Sequence, residues 1–135
     1  MAAVLAAAAA AGPAQAALSP AQVVREWSSA LNANDNEAAA RLFAPNARVV
    51  QATFDVRLTS HALAVAFNAS LPCAGRITEI RVHGDRATAI FVLGHRPKHV
   101  CDGPGVKAAA LFVVQRGQIV LWEQVAVPPP DKPTA

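Results

Sequence analysis

The chain has 135 residues, a length typical of a single domain with one hydrophobic core. Hydrophobic residues make up 53% of the chain, which excludes disorder across its middle. The formal net charge is +3 at pH 7, but the arginines and lysines are scattered singly rather than in a basic stripe, so we expect no nucleic-acid partner.

The first sixteen residues, MAAVLAAAAAAGPAQA, have most features of a secretory signal peptide. A short apolar run is followed by a Gly-Pro break and by AQA, a cleavage site of the A-x-A type. The run is too short for a bilayer core of about 30 Å, so we expect no membrane span. No Lys or Arg precedes Arg25, which leaves an upstream start or an Ala-rich leader as alternatives. We predict that residues 1–16 are a signal peptide and that the protein is secreted or periplasmic.

The sequence after the leader predicts a helix that begins at Pro20, with Ser19 as its N-cap. Its apolar residues recur at helical spacing and form one face: Val23, Val24, Trp27, Ala30 and Leu31. An apolar face of this length has to be covered by other parts of the chain, and the strands predicted further on can cover it.

A polar break at residues 34–36 separates this helix from a second, shorter one. Asp35 is the predicted N-cap of the second helix. Leu42 and Phe43 close its buried side, and Pro45 ends it. A short strand is predicted to follow at Ala47–Gln51.

Thr53–Leu58 alternates between apolar and polar residues, which is typical of a strand. The apolar residues on its one face are Phe54, Val56 and Leu58. A third helix is predicted next, capped by Thr59 or Ser60 and stopped at Pro72. Its predicted apolar stripe consists of Leu63, Ala66, Phe67 and Leu71.

The hydrophobic period changes to two after Gly75, which indicates strands. Four are predicted: Arg76–His83, Ala87–Gly94, Val106–Gln115 and Gln118–Val127. Tight turns at Gly84-Asp85 and Arg116-Gly117 join them into hairpins. Helices first and antiparallel hairpins last predict an α+β domain over residues 17–127, with helices on one face of a curved sheet. The Pro-rich residues 128–135 predict an extended or disordered tail.

The chain has two cysteines, Cys73 and Cys101, and an even count favours one disulfide in an oxidising compartment. Each lies at the end of a predicted segment, where backbones can approach each other. The alternative is two buried thiols in a cytosolic protein. We predict the disulfide, whose loop closure stabilises the fold by roughly 3.5 kcal/mol before any strain.

The densest group of potential metal ligands is His95, His99, Cys101 and Asp102. The spacing of the two histidines suits a metal, but the residues RPK between them add positive charge and a stiff ring to a predicted loop. An oxidised Cys101 cannot ligate a metal. We therefore predict a solvated hairpin loop with no metal and no cofactor. The absence of a G-x-S-x-G elbow from the sequence argues against a nucleophilic hydrolase.

Two stretches carry a resemblance to a known family. REWSSALNANDNEAAARLFAPNARVV resembles the opening of the nuclear transport factor 2-like (SnoaL-like) superfamily, and LFVVQRGQIVLWEQ resembles its F-x-x-x-x-G-x-I-x-x-W ending. The resemblance covers about Pro20 to Val127. It implies a cone-shaped α+β fold in which three N-terminal helices pack on a curved antiparallel sheet. It implies little about activity, because this fold serves isomerases, epoxide hydrolases, polyketide cyclases, transport factors and binding proteins.

The ketosteroid isomerases of this superfamily provide a test of the chemistry. Their oxyanion-hole tyrosine corresponds to Trp27, their general-base aspartate to Gln51, and their protonated aspartic acid falls near Ala110. The indole of Trp27 has no acidic hydroxyl, and the amide of Gln51 cannot take a proton at neutral pH. The methyl group of Ala110 can neither donate nor accept a proton. The resemblance therefore implies that all three isomerase roles are vacant in this chain, and we predict no catalytic residues.

The resemblance also implies a cone lined by large apolar side chains and a few amides. The predicted pocket residues are Trp27, Phe43, Gln51, Phe54, Phe67, Trp122 and Gln124. We expect an exported, non-catalytic domain that binds a small apolar molecule, associates with a second copy through its sheet, or both.

Two alternatives remain. One is a SnoaL-like isomerase, cyclase or hydrolase that acts on a polyketide- or steroid-like substrate and uses His95, Arg96 or Asp55 at the cone's mouth. The other is a protein-interaction module that works through an exposed face of the sheet. A deep pocket with a desolvated ionisable side chain would favour the enzyme, whereas a pocket of carbon and amides favours binding.

Overall fold

The computed structural model describes residues 17–130. The predicted signal peptide at 1–16 and residues 131–135 of the predicted tail lie outside this range. The three helices are α1 (Pro20–Asn32), α2 (Asn36–Arg41) and α3 (His61–Ser70). The six strands are β1 (Phe43–Gln51), β2 (Phe54–Leu58), β3 (Cys73–His83), β4 (Arg86–His95), β5 (Lys107–Gln115) and β6 (Gln118–Val125).

The six strands form one sheet with the order β2-β1-β6-β5-β4-β3. All neighbouring strands are antiparallel except β1 and β6, which run parallel. The predicted α+β fold, with helices preceding a curved sheet of antiparallel hairpins, is confirmed. The sequence did not predict the parallel pairing of β1 with β6. It arises because the meander from β3 to β6 places β6 beside β1.

The predicted helix starts are confirmed in atomic detail. Ser19 and Gln22 form a capping box, in which Ser19 Oγ accepts the N–H of Gln22 and Gln22 Oε1 accepts the N–H of Ser19. Asp35 caps α2 through Ala38 N–H, and Ser60, rather than Thr59, caps α3. Each cap satisfies a backbone donor that the first turn of a helix leaves unpaired.

The predicted end of the second helix is wrong. The helix ends at Arg41, and Phe43 and Pro45, which were expected to close it, lie in β1. Phe43 pairs with Ile119 of β6, whose N–H donates to the carbonyl oxygen of Leu42 at 2.8 Å. Proline is tolerated here because the register between β1 and β6 shifts after Phe43.

The predicted apolar stripe of α3 is also partly wrong. Leu63 is 47% exposed and Ala66 is exposed, whereas Ala64, Phe67 and Asn68 are buried. The helix is turned so that a polar side chain occupies its inner face. Asn68 Nδ2 donates to the carbonyl oxygen of Ala64 at 2.8 Å, which satisfies the buried amide locally.

Arg96 contradicts the prediction of a solvated hairpin loop after β4. Its side chain is 2% exposed, and its Nη1 donates to the carbonyl oxygens of Asn68 at 2.6 Å and Leu71 at 2.9 Å. Its Nη2 donates to the Oδ1 atoms of Asn34 and Asn36. The guanidinium thus donates to two carbonyls at the C-terminus of α3 and binds the turn between α1 and α2. Burial lowers the pKa of Arg96.

The core lies between the helices and the concave face of the sheet. The ring of Trp27 on α1 is 5.3 Å from that of Phe112 and 6.1 Å from that of Trp122, between centroids. Phe67 of α3 contacts Trp122 at 5.2 Å. These contacts, edge-to-face for Phe112 on Trp27 and for Phe67 on Trp122, fill one part of the concave face. Within residues 17–130, no helix is long and apolar enough to cross a membrane.

Candidate functional site

A cavity of about 440 Å³ lies between α1 and the concave face of the sheet. The β5 residues Ala108, Ala109 and Ala110 line it, and Leu31, Phe91 and Leu93 supply larger apolar surface. Short side chains on β5 leave room beside Trp27 and Phe112, where larger ones would fill the cone. The volume is within the range of small-molecule sites.

The strand register places two amides at this cavity. Val49 of β1 pairs with Trp122 of β6, so Gln51 and Gln124, each two residues further along, lie on the same face as that pair. Both line the cavity, Gln51 half-buried and Gln124 exposed. Amides can donate and accept hydrogen bonds, but they do not act as acids or bases at neutral pH.

Four of the seven predicted pocket residues lie together in the cavity wall: Trp27, Gln51, Trp122 and Gln124. The other three do not line it. Phe43 and Phe67 pack against each other in the core, with ring centroids 5.9 Å apart. Phe54 is 50% exposed at the start of β2. Side-chain alternation identifies the face of a strand, but it does not distinguish the filled part of a core from the open part. Ligand contact by the four remains a prediction.

The three positions that correspond to isomerase catalytic residues, Trp27, Gln51 and Ala110, all line this cavity. Ala110 pairs directly with Gln124 across the β5–β6 ladder. The correspondence drawn from the sequence therefore refers to one place in the fold, and none of these side chains is an acid or a base.

Asp102 is the one lining residue with a titratable side chain, among those in the part of the chain that the structure describes. It is exposed and lies beside the disulfide, with Oδ1 3.3 Å from Sγ of Cys73. The disulfide between Cys73 and Cys101 is present, as predicted. It joins the start of β3 to the loop after β4 and so fixes Asp102 at the cavity. Sequence reasoning considered Asp102 only as a metal ligand, because nothing local indicates that this loop reaches the cone.

The cluster considered as a metal site has another arrangement in three dimensions. The sulfurs of Cys73 and Cys101 and a carboxylate oxygen of Asp102 lie within 4.8 Å of one another, but the sulfurs are bonded to each other and cannot act as thiolate ligands. His95 Nδ1 accepts the backbone N–H of Cys101 at 2.9 Å. That nitrogen is therefore occupied by a hydrogen bond that fixes the loop.

The three residues offered for catalysis at the cone's mouth lie elsewhere. Arg96 is buried beneath the helices. His95 lines an adjoining groove between α1 and the β3–β4 hairpin and does not line the cavity itself. Asp55 binds Arg48 at 2.7 Å on the exposed side of the β1–β2 hairpin, and the hydrogen bond from Arg48 lowers the pKa of the Asp55 carboxyl. The expectation that His95, Arg96 or Asp55 would serve an enzyme at the cone's mouth is therefore wrong.

The two tryptophans of the cavity wall differ in their hydrogen bonding. Trp27 Nε1 donates to Asn68 Oδ1 at 2.8 Å. Trp122 Nε1 is buried and has no hydrogen-bond partner among residues 17–130. Sequence periodicity places both rings in the core, but it cannot reveal which indole N–H is satisfied, because the acceptor lies 41 residues from Trp27 in the chain.

The cone of helices on a curved sheet is the nuclear transport factor 2-like fold. Residues 24–122 match the SnoaL-like domain family, and the chain therefore belongs to that family. No curated protein matches the chain.

Solved structures share this fold. A nuclear transport factor 2-like protein of unknown function from Cytophaga hutchinsonii is 14% identical, with a TM-score of 0.66 over 80% of this chain and 89% of that one. A candidate polyketide cyclase from Sinorhizobium meliloti is 24% identical, with a TM-score of 0.62 over 76% and 93%. A hypothetical protein with a ketosteroid isomerase-like fold from Catenulispora acidiphila, solved in complex with trimethylamine, is 20% identical, with a TM-score of 0.63 over 81% and 87%. At these identities the likeness establishes the fold alone.

Proposed function

We propose that this protein is an exported domain that binds one small, neutral, mostly apolar molecule in the cavity between α1 and the sheet. The observation that carries the proposal is the lining of the cavity. Among residues 17–130, its walls are mostly carbon, with two glutamine amides and the hydroxyl of Ser28, and its one titratable side chain, Asp102, is exposed to water. Apolar walls with a few polar groups are typical of ligand pockets.

The energetics suit a ligand of modest affinity. Removing about 200 Å² of apolar ligand surface from water contributes roughly 5 kcal/mol, from which the loss of ligand freedom has to be subtracted. Because about 5 kcal/mol alone corresponds to a dissociation constant of roughly 0.2 mM, we expect dissociation constants of about a millimolar for molecules with one or two rings. Flat ring systems would contact Trp27 and Phe91, which both line the cavity.

The lining favours binding over catalysis. Proton transfer needs a positioned group whose pKa lies near the working pH. The positions that serve this purpose in ketosteroid isomerases carry Trp27, Gln51 and Ala110, and the Asp102 side chain is exposed to water. A bound molecule would leave the cavity chemically unchanged.

Export is supported by two independent features. The first sixteen residues have the apolar run and A-x-A site of a signal peptide. The pairing of Cys73 with Cys101 suits an oxidising compartment. N-terminal sequencing of the mature protein should place the first residue near Ala17.

The binding proposal is tested by closing the cavity. We suggest Ala108→Phe, which adds a ring at a half-buried lining position, and Ala66→Phe, the same change at an exposed position of α3, as the control. Neutral bicyclic probes, measured by calorimetric titration, should bind the wild type and the control. We expect Ala108→Phe to weaken binding by about tenfold or more, because the new ring occupies the ligand's space. Equal affinities for all three proteins would reject the cavity as the site.

Self-association through the outer face of the sheet is a second proposal. Val50, Leu111 and Leu121 are half-buried there, beside the Arg48–Asp55 ion pair. Glu123 lies between Val50 and Leu111 on this face, and apolar side chains mixed with charges of both signs suit a second copy of this chain. Sedimentation should detect a dimer that Leu121→Lys converts to a monomer, and a monomeric wild type at high concentration would reject it.

A further inference from the structure

The unsatisfied N–H of Trp122 is the feature of the cavity wall that the proposed function leaves unexplained. The side chain is 5% exposed, and Nε1 has no partner among residues 17–130. An indole nitrogen carries a hydrogen that it can only donate, so nothing but an acceptor satisfies it. Leaving such a donor buried and unpaired costs free energy, and buried polar groups are paired in most proteins.

The protein around Trp122 offers little to accept this hydrogen. The cross-strand neighbours on the same face are Val49 and Phe112, which are hydrocarbons. The ring neighbours are Trp27 and Phe67, and the first of these is itself a donor. The remaining surroundings of the Trp122 ring include the cavity, which it lines.

Trp27 is an internal comparison for the same chemistry. It lies in the same aromatic cluster and lines the same cavity, yet Asn68 Oδ1 accepts its N–H. The protein thus supplies an acceptor for the N–H of Trp27 but none for the N–H of Trp122 among residues 17–130.

We infer that the ligand carries an uncharged hydrogen-bond acceptor, such as a ketone, ester or ether oxygen, which binds the N–H of Trp122. This inference rests on the proposed function. An anionic acceptor is disfavoured, because among the described residues the lining holds no cation and Asp102 adds a negative charge. Nε1 is closed to solvent in this structure, so binding has to shift the indole ring enough for the acceptor to reach it.

The test compares two probes that differ in one oxygen: tetralone, a bicyclic ketone, and tetralin, the corresponding hydrocarbon. Both are titrated into the full mature protein, by calorimetry and by following the two indole N–H resonances in proton–nitrogen correlation spectra. We expect tetralone to bind about tenfold tighter than tetralin, the ratio that one satisfied buried donor provides. We also expect tetralone to move the Trp122 resonance downfield and to leave the hydrogen-bonded Trp27 resonance nearly in place.

The Trp122→Phe variant assigns the resonances and removes the donor while keeping a ring. In this variant the two probes should bind with equal affinity. If the variant fails to fold, the wild-type spectra decide alone. Equal affinity of the two probes for the wild type, or a tetralone titration that does not move the Trp122 resonance, overturns this inference but leaves the cavity as a binding site. If neither probe binds, the proposed function fails as well.

Discussion

Nη1 of Arg96 donates to the backbone carbonyl oxygen of Asn68 at 2.6 Å, and the side chain of the same Asn68 accepts the indole N–H of Trp27 at 2.8 Å. One asparagine thereby joins the loop after β4, the C-terminal end of α3 and the cavity wall on α1. The disulfide from Cys101 to Cys73 ties the same loop to β3. The position of the cavity wall thus depends on a buried polar network as well as on apolar packing.

Replacing Arg96 should destabilise the protein severely. Arg96→Met would leave four oxygen acceptors without their donor, and we expect a loss of about 3 kcal/mol or more in the free energy of unfolding. Arg96→Lys should recover only part of this, because an ammonium group cannot span the acceptors that the planar guanidinium reaches. Urea unfolding measures both. The control is Lys98→Met on the exposed part of the same loop, expected to change stability by less than about 0.5 kcal/mol. Equal effects at the two positions would contradict the network.

Removing the disulfide should lower both stability and ligand affinity. Cys73→Ser opens a link between residues 28 apart in sequence, and we expect a loss of about 2–5 kcal/mol in unfolding experiments. Because Cys73 lines the cavity, calorimetry should also show weaker binding of neutral probes. Thiol titration of the exported protein under denaturing, non-reducing conditions provides the direct check: two free thiols would exclude the link.

The orientation of α3 predicts opposite results for two leucines. Leu63 is 47% exposed, so Leu63→Ala should change the free energy of unfolding by less than about 0.5 kcal/mol. Leu71 is buried at the end of the helix, so Leu71→Ala should cost about 2–5 kcal/mol. The two substitutions remove the same atoms, and each is therefore the control of the other. Similar losses at both positions in urea unfolding would mean that the helix is turned differently.

Two carboxyls make stability depend on pH in the acid range. The hydrogen bond from Arg48 lowers the pKa of Asp55, and that from Arg81 lowers the pKa of Glu79. A lowered folded-state pKa means that the stabilisation is present above the unfolded values of about 3.9 and 4.3 and is lost as the pH falls through the folded values. We expect the unfolding free energy to fall below about pH 4, modestly and less at high salt, because the Asp55 pair is exposed and the Glu79 pair is only half-buried.

Asp55→Asn tests this dependence. The variant should lose less stability on acidification than the wild type, since its amide does not titrate. Asp85→Asn in the β3–β4 turn is a suitable control, because Asp85 is exposed and no ion pair holds it among residues 17–130. Parallel pH profiles for the wild type and Asp55→Asn would show that the Arg48 pair contributes nothing.

Local chemistry explains what the sequence predicted well. Ser19 and Asp35 act on donors within three residues of themselves, so their pattern is visible in the chain. Gly84 and Gly117 adopt φ angles of 62° and 74°, which glycine takes without strain, so the hairpin turns were also identifiable. A Cβ at Gly117 would lie 3.1 Å from the backbone nitrogen of Leu18, a further reason for glycine there.

The predictions that failed concern partners far apart in the sequence. Phe43 enters a strand because Ile119 pairs with it, and Arg96 is buried because four oxygens from other segments surround it. Hydrophobic periodicity reveals neither the pairing with Ile119 nor the distant oxygens around Arg96. From the sequence alone, an arginine in a loop is expected to be solvated. The cavity was predictable only in part: the family resemblance implied Gln51 and Gln124 at its lining, whereas Asp102 belongs to a loop that the disulfide holds at the cavity.

The most direct test of the binding account is native mass spectrometry of the mature protein purified from its own source. We predict that the folded chain carries the added mass of one small neutral molecule, that denaturation releases it, and that the extracted molecule is unchanged after incubation with fresh protein. A folded protein that never carries added mass would contradict the binding site. Conversion of the extracted molecule into another compound would show that the cavity performs a reaction.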